Sequence, residues 1–313
     1  MIAAVSRATF ASLAGSRTLR ILASRYGMRK PHSFARRFVA GETLDEAIAS
    51  AQKIERLGMT VTIDHLGESV TTSNAALAAA RDYMAVVEAI ARAGISRNIS
   101  VKLTQLGLNV DRATAVDNLR RVLDIATRVD CFVRIDMEAS MHAQQTFEVF
   151  ETLWDLGSRN IGVVIQSYLR RSPGDVRRMN ELGARVRLVK GAYQESRDVA
   201  FREKADVDAA YIALMETLLR EGTQPAIATH DPAMIEHAKA FAARNGIDRS
   251  KFEFQMLYGI RRDLQRRLSS DGYPFRVYVP FGTEWFAYFM RRLGERPANV
   301  AFVAKSLLKE EVY

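Results

Sequence analysis

The chain has 313 residues, of which 48% are hydrophobic, and a formal net charge of +9 at pH 7. This length can bury a sizeable core, and it fits one large α/β domain better than two smaller ones. No run of 18 uncharged apolar residues occurs, which argues against a membrane-spanning helix. A single cysteine, Cys131, excludes a disulfide within this sequence, and its place in the apolar stretch CFVRID predicts a buried thiol.

The positive charge is concentrated near the N-terminus. Residues 1–41 contain eight Arg or Lys and no Asp or Glu, which leaves about +1 for residues 42–313. We expect no nucleic-acid partner, because no basic stripe interleaved with stacking aromatics crosses the chain. Three interpretations of this basic arm stay open: a mitochondrial-type targeting peptide, a segment that touches acidic lipid, and N-terminal helices that pack on the domain.

After Gly41, helical and strand patterns alternate. Residues 41–58 predict a helix, with Thr43 and Glu46 as a capping box and Gly58 at the end. Strands are predicted at MTVTID, NISVKL, CFVRID, IGVVIQ, VRLVKG, PAIATH, KFEFQM and FRVYVP, and helices near residues 74–93, 113–128, 142–156, 204–221, 232–245 and 260–269. Eight nearly apolar strands in this rhythm favour a closed (β/α)₈ barrel. An open doubly wound sheet is disfavoured because the first strand runs into IDHLGESV, which has one glycine and no phosphate-binding turn.

Polar residues cluster at the predicted C-terminal strand ends, which form the active-site mouth of such a barrel. They are Asp64, Glu68, Lys102, Gln105, Asp136, Glu138, Gln166, Lys190, Tyr193, Thr229, His230, Gln255 and Tyr278. Loop capping accounts for some of them, but Lys102, Asp136 and Arg187 are charges inside apolar strands. An unpaired buried charge costs several kcal/mol, so each of these three needs a partner or a ligand.

Two chemistries fit this collection of residues. Lys190 beside Arg187 could act as a Schiff-base nucleophile in an aldolase-like enzyme. Alternatively, Arg187, Lys190, His230, Gln166 and Thr229 supply donors suited to phosphates and to the polar edge of a flavin. A metal site at His230 is disfavoured, since no second His or Cys lies at ligand spacing.

Residues 276–299, RVYVPFGTEWFAYFMRRLGERPAN, predict a strand, a turn and an amphipathic helix. One face of the helix carries Phe286, Phe289, Met290 and Leu293, and the opposite face carries Tyr288, Arg291, Arg292 and Glu295. The polar face fits either a solvated surface with an Arg291–Glu295 pair or a site for a carboxylate ligand, which two guanidinium groups bind well.

Seven stretches, in this order, resemble the proline dehydrogenase family of flavoenzymes, particularly its short bacterial monofunctional form. They are VKLTQLGL, VRIDME, VIQSYL, RLVKGAY, ATHD, FEFQMLYG and VYVPFGTEWFAYFMRRLGERPAN, and the likeness covers about residues 40–308. The resemblance implies an α/β fold, a distorted (β/α)₈ TIM barrel that holds FAD without covalent attachment. It also implies N-terminal helices and a last barrel helix that lies over the mouth. We therefore expect a basic arm over residues 1–41 and a catalytic barrel over residues 42–313.

The resemblance also assigns roles by position. Lys102, Arg291 and Arg292 would bind the carboxylate of L-proline. Around its ring would lie Ala192, Leu257, Tyr278 and Tyr288. Asp136 would give structural and electrostatic support to this site, and the catalytic set would be Lys102, Asp136, Tyr278, Arg291 and Arg292. FAD would contact Gln166, Arg187, Val189, Lys190, Gly191, Thr229, His230 and Glu295, and Glu68 would pair with Arg291 when the helix closes. The chain departs from many members at Gln194, where tryptophan is usual, and at Asp231, where asparagine is usual.

The reaction that the resemblance implies is oxidation of L-proline to Δ1-pyrroline-5-carboxylate by hydride transfer to flavin N5, the first step from proline to glutamate. Membrane quinone would reoxidise the flavin, and pyrroline-5-carboxylate dehydrogenase would be the next enzyme. The expected location is cytoplasmic, with peripheral contact at the inner face of the membrane. The alternative is a basic binding protein on a catalytically silent barrel, which is disfavoured because a scaffold does not require the strand-end charges.

Overall fold

The computed structural model describes Met28, residues 33–67 and residues 69–295, without the side chains of Phe34 and of residues 293–295. Its strands are β1 (Thr60–His65), β2 (Asn98–Val101), β3 (Phe132–Ile135), β4 (Ile161–Gln166), β5 (Arg185–Val189), β6 (Ala226–Ala228), β7 (Glu253–Leu257) and β8 (Phe275–Phe281). Its α-helices are α1 (Leu44–Glu55), α2 (Ser73–Arg92), α3 (Arg112–Arg128), α4 (Ala143–Asp155), α5 (Ser172–Leu182), α6 (Lys204–Glu221), α7 (Pro232–Arg244), α8 (Arg262–Ser270) and α9 (Trp285–Glu295). Short 3₁₀ turns cover Phe34–Arg37, Ser140–His142 and Arg249–Lys251.

The eight strands form a closed barrel in chain order, with every neighbouring pair parallel. The barrel closes between β8 and β1, where the register runs from Thr60 opposite Arg276 to His65 opposite Phe281. A helix follows each strand, and α1 precedes β1. The predicted (β/α)₈ barrel is confirmed, and the carboxyl ends of all eight strands meet at one mouth.

Helix α1 begins as its sequence predicts. The Thr43 side chain accepts a hydrogen bond from the Glu46 amide, and the Glu46 carboxylate accepts one from the Thr43 amide. The same carboxylate forms an ion pair with Arg36, at 2.5 Å. The capping box therefore also ties the segment before the barrel to the start of α1.

Helix α5 lies between β4 and β5, where the (β/α)₈ pattern requires a helix but the sequence pattern gave no bounds for one. Its buried face is short, with Val176 and Met179 as its apolar members, so the helical periodicity is weak. Two boundary signals were available: Pro173 in the first turn and Gly183 in the left-handed conformation after the last residue.

Helix α9 lies across the mouth of the barrel. Its buried side chains Phe286 and Phe289 belong to one apolar cluster with Leu66, just past β1, and Ile260, just past β7. Tyr288 is also buried in this cluster, although the helical wheel placed it on the polar face. The helix is covered on more than one side because it lies over the strand ends rather than beside the barrel.

The segment before α1 packs on α9 and on the mouth. Phe38 lies 6.0 Å from Phe289 between ring centroids, and the indole of Trp285 donates a 2.9 Å hydrogen bond to Glu42. Gly259, at positive φ, allows the Arg37 carbonyl to approach, since a Cβ there would lie 1.6 Å from that oxygen. The boundary predicted between the arm and the barrel at residues 41 and 42 stays a prediction, and most of the arm lies outside the described residues. No described helix is both long and apolar enough to cross a membrane.

Candidate active site

Four charged groups and a phenol from different strands meet at the mouth. Lys102, directly after β2, lies 3.1 Å from Asp64 and 3.9 Å from Asp136 between its ammonium nitrogen and the carboxylate oxygens. Arg187, in β5, lies 2.8 Å from the other oxygen of Asp136. The Tyr278 hydroxyl, from β8, donates to Asp136 at 2.6 Å. Each strand charge singled out in the sequence therefore has a partner, as its burial requires.

The electrostatics of this central network follow from burial and pairing. Burial lowers the pKa of Lys102, but the charges of Asp64 and Asp136 outweigh it, so the pKa lies above its ordinary value. Burial, followed by the negative charge of Asp136, raises the pKa of Tyr278 well above its ordinary value. At neutral pH the network thus holds a protonated lysine and a neutral phenol.

Arg187 is held by a second contact, with Ser100 on β2, in addition to its ion pair with Asp136. Two of its guanidinium nitrogens donate to the hydroxyl of Ser100, each at 3.1 Å. Its third nitrogen, Nε, is buried and has no hydrogen-bond partner among the described residues. The same holds for Oε1 of Gln166 at the end of β4, whose amide nitrogen donates to the Met137 carbonyl at 3.2 Å. A donor and an acceptor near the mouth are therefore left for a ligand or for water.

Lys190 belongs to a second network on the rim of β5 and β6. It bonds to Asp208 at 2.5 Å and to Asp231 at 2.8 Å, and Lys204 also pairs with Asp208. Partial burial raises the pKa of Asp231, but the hydrogen bond and charge of Lys190 outweigh it, so the pKa lies below its ordinary value. Asp231 also caps α7 by accepting from the Ala233 amide. Lys190 donates to two carboxylates, which does not suit the free amine of a Schiff-base nucleophile.

Other predicted cofactor residues lie near this rim. His230, two residues past β6, accepts a 3.0 Å hydrogen bond from the Leu257 amide through Nε2. The Thr229 hydroxyl accepts from the Asp231 amide at 3.1 Å, and Val189 ends β5. Gly191 has φ of +111°, and a Cβ there would lie 2.3 Å from the ring of Tyr168. Glycine is thus required at position 191 by packing alone.

The predicted residues around the substrate are distributed over α9 and the strand ends. Arg291 and Arg292 lie half-buried on α9, and the Arg292 guanidinium stacks over Tyr288 at 5.0 Å. Leu257 ends β7 and packs against the α9 cluster, whereas Ala192 is exposed. The prediction for Glu68 lies outside the described residues, and only the backbone of Glu295 is described.

Gln255 does not lie at the mouth as predicted. It is in the middle of β7, and its amide donates to Glu253. Glu253 in turn pairs with Arg276 at 3.0 Å near the opposite end of the barrel. The sequence pattern misplaced Gln255 because β7 extends one residue further than predicted, to Leu257.

Comparison with known proteins identifies the family. The proline dehydrogenase family profile matches residues 47–305. Proline dehydrogenase 1 of Bacillus subtilis (strain 168) is 42% identical over 304 residues, which cover 97% of this chain and 99% of that protein. The proline dehydrogenase of Deinococcus radiodurans is 41% identical over 285 residues, which cover 90% of this chain and 92% of that protein.

The chain belongs to the proline dehydrogenase family. It also resembles parts of longer proteins. The bifunctional protein PutA of Escherichia coli (strain K12) is 31% identical over 85% of this chain, which spans 23% of PutA. The crystal structure of proline utilization A from Bdellovibrio bacteriovorus, inactivated by N-propargylglycine, aligns with a TM-score of 0.78 at 29% identity, covering 84% of this chain and 32% of that one.

The structure of this proline dehydrogenase family member adds partners that the sequence did not single out. Asp64 was noted at a strand end without a role, and it is the closest partner of Lys102. The sequence context of Ser100 and Asp208 did not indicate a role in the site, since a serine in a strand and an aspartate in a helix are common. Their contacts, with Arg187 and Lys190 respectively, join residues 87 and 18 positions apart. Only the closed barrel brings the first pair together.

Proposed function

We propose that this enzyme oxidises L-proline to Δ1-pyrroline-5-carboxylate with FAD as its cofactor. The observation that carries the proposal is the paired network of Lys102, Asp136, Arg187 and Tyr278 at the mouth, beneath a helix that bears Arg291 and Arg292. A member of the proline dehydrogenase family needs a binding site for proline, which is a small cyclic zwitterion, and this network with the helix above it supplies charged groups for one.

Arg291, Arg292 and Lys102 bind the proline carboxylate in this proposal. Within the central network, two cations face two carboxylates, so the network itself is nearly neutral. The two arginines of α9 add donors that can form charge-assisted hydrogen bonds with an anionic group. Leu257, Tyr278, Tyr288 and Ala192 would line the ring.

The residues present fit FAD. The buried Nε of Arg187 is an unused donor and the buried Oε1 of Gln166 an unused acceptor, within the described part of the chain. The polar edge of a flavin ring carries atoms of both kinds. Arg187, Gln166, Val189, Gly191, Thr229, His230 and Lys190 would hold the cofactor, and Glu295 would contact it from α9. FAD would supply a two-electron acceptor at N5 and pass the electrons on to a quinone.

The protein's own part in the reaction is to bind proline in a reactive protonation state. A C=N bond can form only when the ring nitrogen has a free electron pair, so the amine must lose its extra proton. Positive charges around the substrate lower the pKa of its ammonium group, and Lys102 stays protonated beside Asp64 and Asp136. A dedicated general base is then unnecessary. Tyr278 keeps its proton and donates a hydrogen bond to Asp136, which fixes the carboxylate between Lys102 and Arg187.

Deuterated prolines test this reaction directly. The proposed product requires hydride loss from C5, the ring carbon next to nitrogen that does not carry the carboxylate. We expect a primary isotope effect on kcat/KM with 5,5-dideuterated proline and a soluble quinone, and none with 2-deuterated proline. An isotope effect confined to the 2-deuterated substrate would point to oxidation at the carboxylate-bearing carbon and would overturn the proposed product.

Three partners complete the proposal: L-proline, a membrane quinone and pyrroline-5-carboxylate dehydrogenase. The product is a cyclic imine, which opens in water to an aldehyde that a dehydrogenase can oxidise. We place the enzyme in the cytoplasm, with the basic arm on the inner face of the membrane. Co-sedimentation with anionic liposomes should weaken on deletion of residues 1–27. Unchanged binding after that deletion would refute the role of the arm.

A further inference from the structure

Asp64 is buried beside Lys102 and has no role in the proposed reaction so far. It lies near the end of β1, is fully inaccessible, and accepts from the Lys102 ammonium at 3.1 Å through Oδ1. Its second oxygen, Oδ2, is buried without a hydrogen-bond partner among the described residues. Burying a carboxylate that has a single lysine as its hydrogen-bond partner costs desolvation free energy. The presence of Asp64 at this position therefore calls for an explanation.

Asp136 cannot replace Asp64 as the partner of Lys102. One of its oxygens accepts from Arg187 at 2.8 Å and the other from Tyr278 at 2.6 Å. Its distance to the Lys102 ammonium, 3.9 Å, is longer than a hydrogen bond. The direct contact that holds the ammonium in place is therefore the one with Asp64.

Lys102 needs such a partner because it is buried, with 9% of its side chain exposed. Burial favours the neutral amine, and nearby negative charge favours the ammonium. The titratable and charged groups around Lys102 are Asp64 on β1, His65 at its end, Tyr83 on α2, Asp136 and Glu138 after β3, Arg187 on β5, Tyr193 after β5 and Tyr278 on β8. Arg291 and Arg292 belong to α9, which crosses the mouth. Glu138 is engaged by the amide and hydroxyl of Thr104.

We propose that Asp64 is a positioning residue that keeps the Lys102 ammonium charged and fixed so that it can bind the substrate carboxylate. This inference rests on the proposed role of Lys102 in substrate binding. Asp64 itself lies beneath the lysine and acts through it.

A substrate analogue that has a carboxylate but no amine shows the effect of Lys102 on binding without the titration of the proline amine. Cyclopentanecarboxylate has the ring and the carboxylate of proline, and its binding to the purified holoenzyme can be measured by calorimetry from pH 6 to pH 10. In the wild type we expect Lys102 to stay protonated, so that the affinity for this acid does not fall at alkaline pH through loss of the Lys102 charge. In Asp64→Asn we expect a loss of affinity to set in between about pH 7 and pH 10, reaching about tenfold relative to wild type at pH 9.

Two variants give the matched comparisons. Asp82→Asn removes the same charge from an exposed position on α2 and should leave the pH profile unchanged. Asp64→Glu retains the carboxylate and should restore affinity at pH 9 to within about threefold of wild type. A pH profile in Asp64→Asn that is parallel to wild type would overturn the proposal.

A double-mutant cycle tests whether Asp64 acts through Lys102. Lys102→Met should weaken acid binding at every pH, and adding Asp64→Asn should then change affinity less than twofold. Additive losses would overturn the proposal. If Asp64→Asn alone does not fold, the double variant should fold, because it leaves neither charge unpaired; failure of both to fold would mark Asp64 as structural. Binding of the acid without oxidation of proline would refute the proposed function while leaving this inference standing.

Discussion

At the scale of single residues, the site depends on Asp136. Its two oxygens join Arg187, Tyr278 and, at longer range, Lys102, so one carboxylate connects three strands. The sequence predicted that each strand charge needs a partner, and that is confirmed. The strand pattern did not predict which partner, because pairing across a barrel depends on which side chains point inward at the same height, and no local pattern encodes that. Only the family resemblance placed Asp136 with Lys102 and Tyr278.

The two arginines of α9 give the sharpest test at this scale. Arg291→Met or Arg292→Met should raise the KM for proline by about 30-fold, corresponding to about 2 kcal/mol, because each removes a proposed charge-assisted bond to the carboxylate. Steady-state kinetics measure this, with retained flavin absorbance as the check on cofactor binding. Arg266→Met, at an exposed position of α8, is the matched control and should behave as wild type. Near-normal KM in both α9 variants would contradict the assignment.

At the scale of elements, α9 and the segment before α1 form one unit over the mouth. Phe38 is 1% exposed and packs on Phe289, while Glu42 accepts from the indole of Trp285. The helical wheel correctly predicted that Phe286, Phe289 and Met290 are buried, whereas the side chain of Leu293 lies outside the described part of α9. The wheel misplaced Tyr288, since a wheel describes one helix alone and this helix is covered by neighbours distant in sequence.

Truncation of Phe38 should loosen this unit. Phe38→Ala leaves a cavity beneath α9 and should lower the free energy of unfolding by about 3 kcal/mol. It should also raise the KM for proline more than it changes kcat, because α9 carries the arginines proposed to bind the carboxylate. Urea unfolding and steady-state kinetics give the two quantities. A stability loss with unchanged KM would show that α9 is positioned without Phe38.

At the scale of the whole molecule, the barrel is charged along its interior. Below the mouth, Glu253 pairs with Arg276, and Arg134 donates to the Val163 carbonyl at 3.1 Å. The sequence predicted the closed barrel from eight apolar strands, because parallel strands are covered by helices on their outer side. The interior side was less predictable, since polar residues there resemble ordinary interruptions of a strand pattern.

Glu253 makes the stability of the fold depend on pH. Burial raises its pKa, but Arg276 and the hydrogen bonds to Glu253 outweigh that, so the pKa lies below its ordinary value. A lowered folded-state pKa contributes stability above the unfolded value of about 4.3, and the contribution disappears as pH falls through the folded pKa. Glu253→Gln should therefore cost about 2 kcal/mol at pH 7, and the difference between the two proteins should shrink progressively as the pH falls below about 4.3.

Urea unfolding of both proteins between pH 3 and pH 7 measures that difference. A gap that stays constant over the whole range would mean that the Glu253→Gln substitution disturbs packing rather than removing a charge. Glu236→Gln, which alters an exposed carboxylate on α7, is the control and should leave the curve unchanged.

The proposed function requires that this barrel bind FAD and use it to oxidise proline. The most direct measurement is the absorption spectrum of the purified protein, reconstituted with FAD, before and after anaerobic addition of L-proline. We predict flavin bands that bleach on addition of L-proline and persist on addition of cyclopentanecarboxylate, which binds without an amine to oxidise. A protein that takes up no FAD, or whose flavin bands are unchanged by L-proline, would contradict the proposed function.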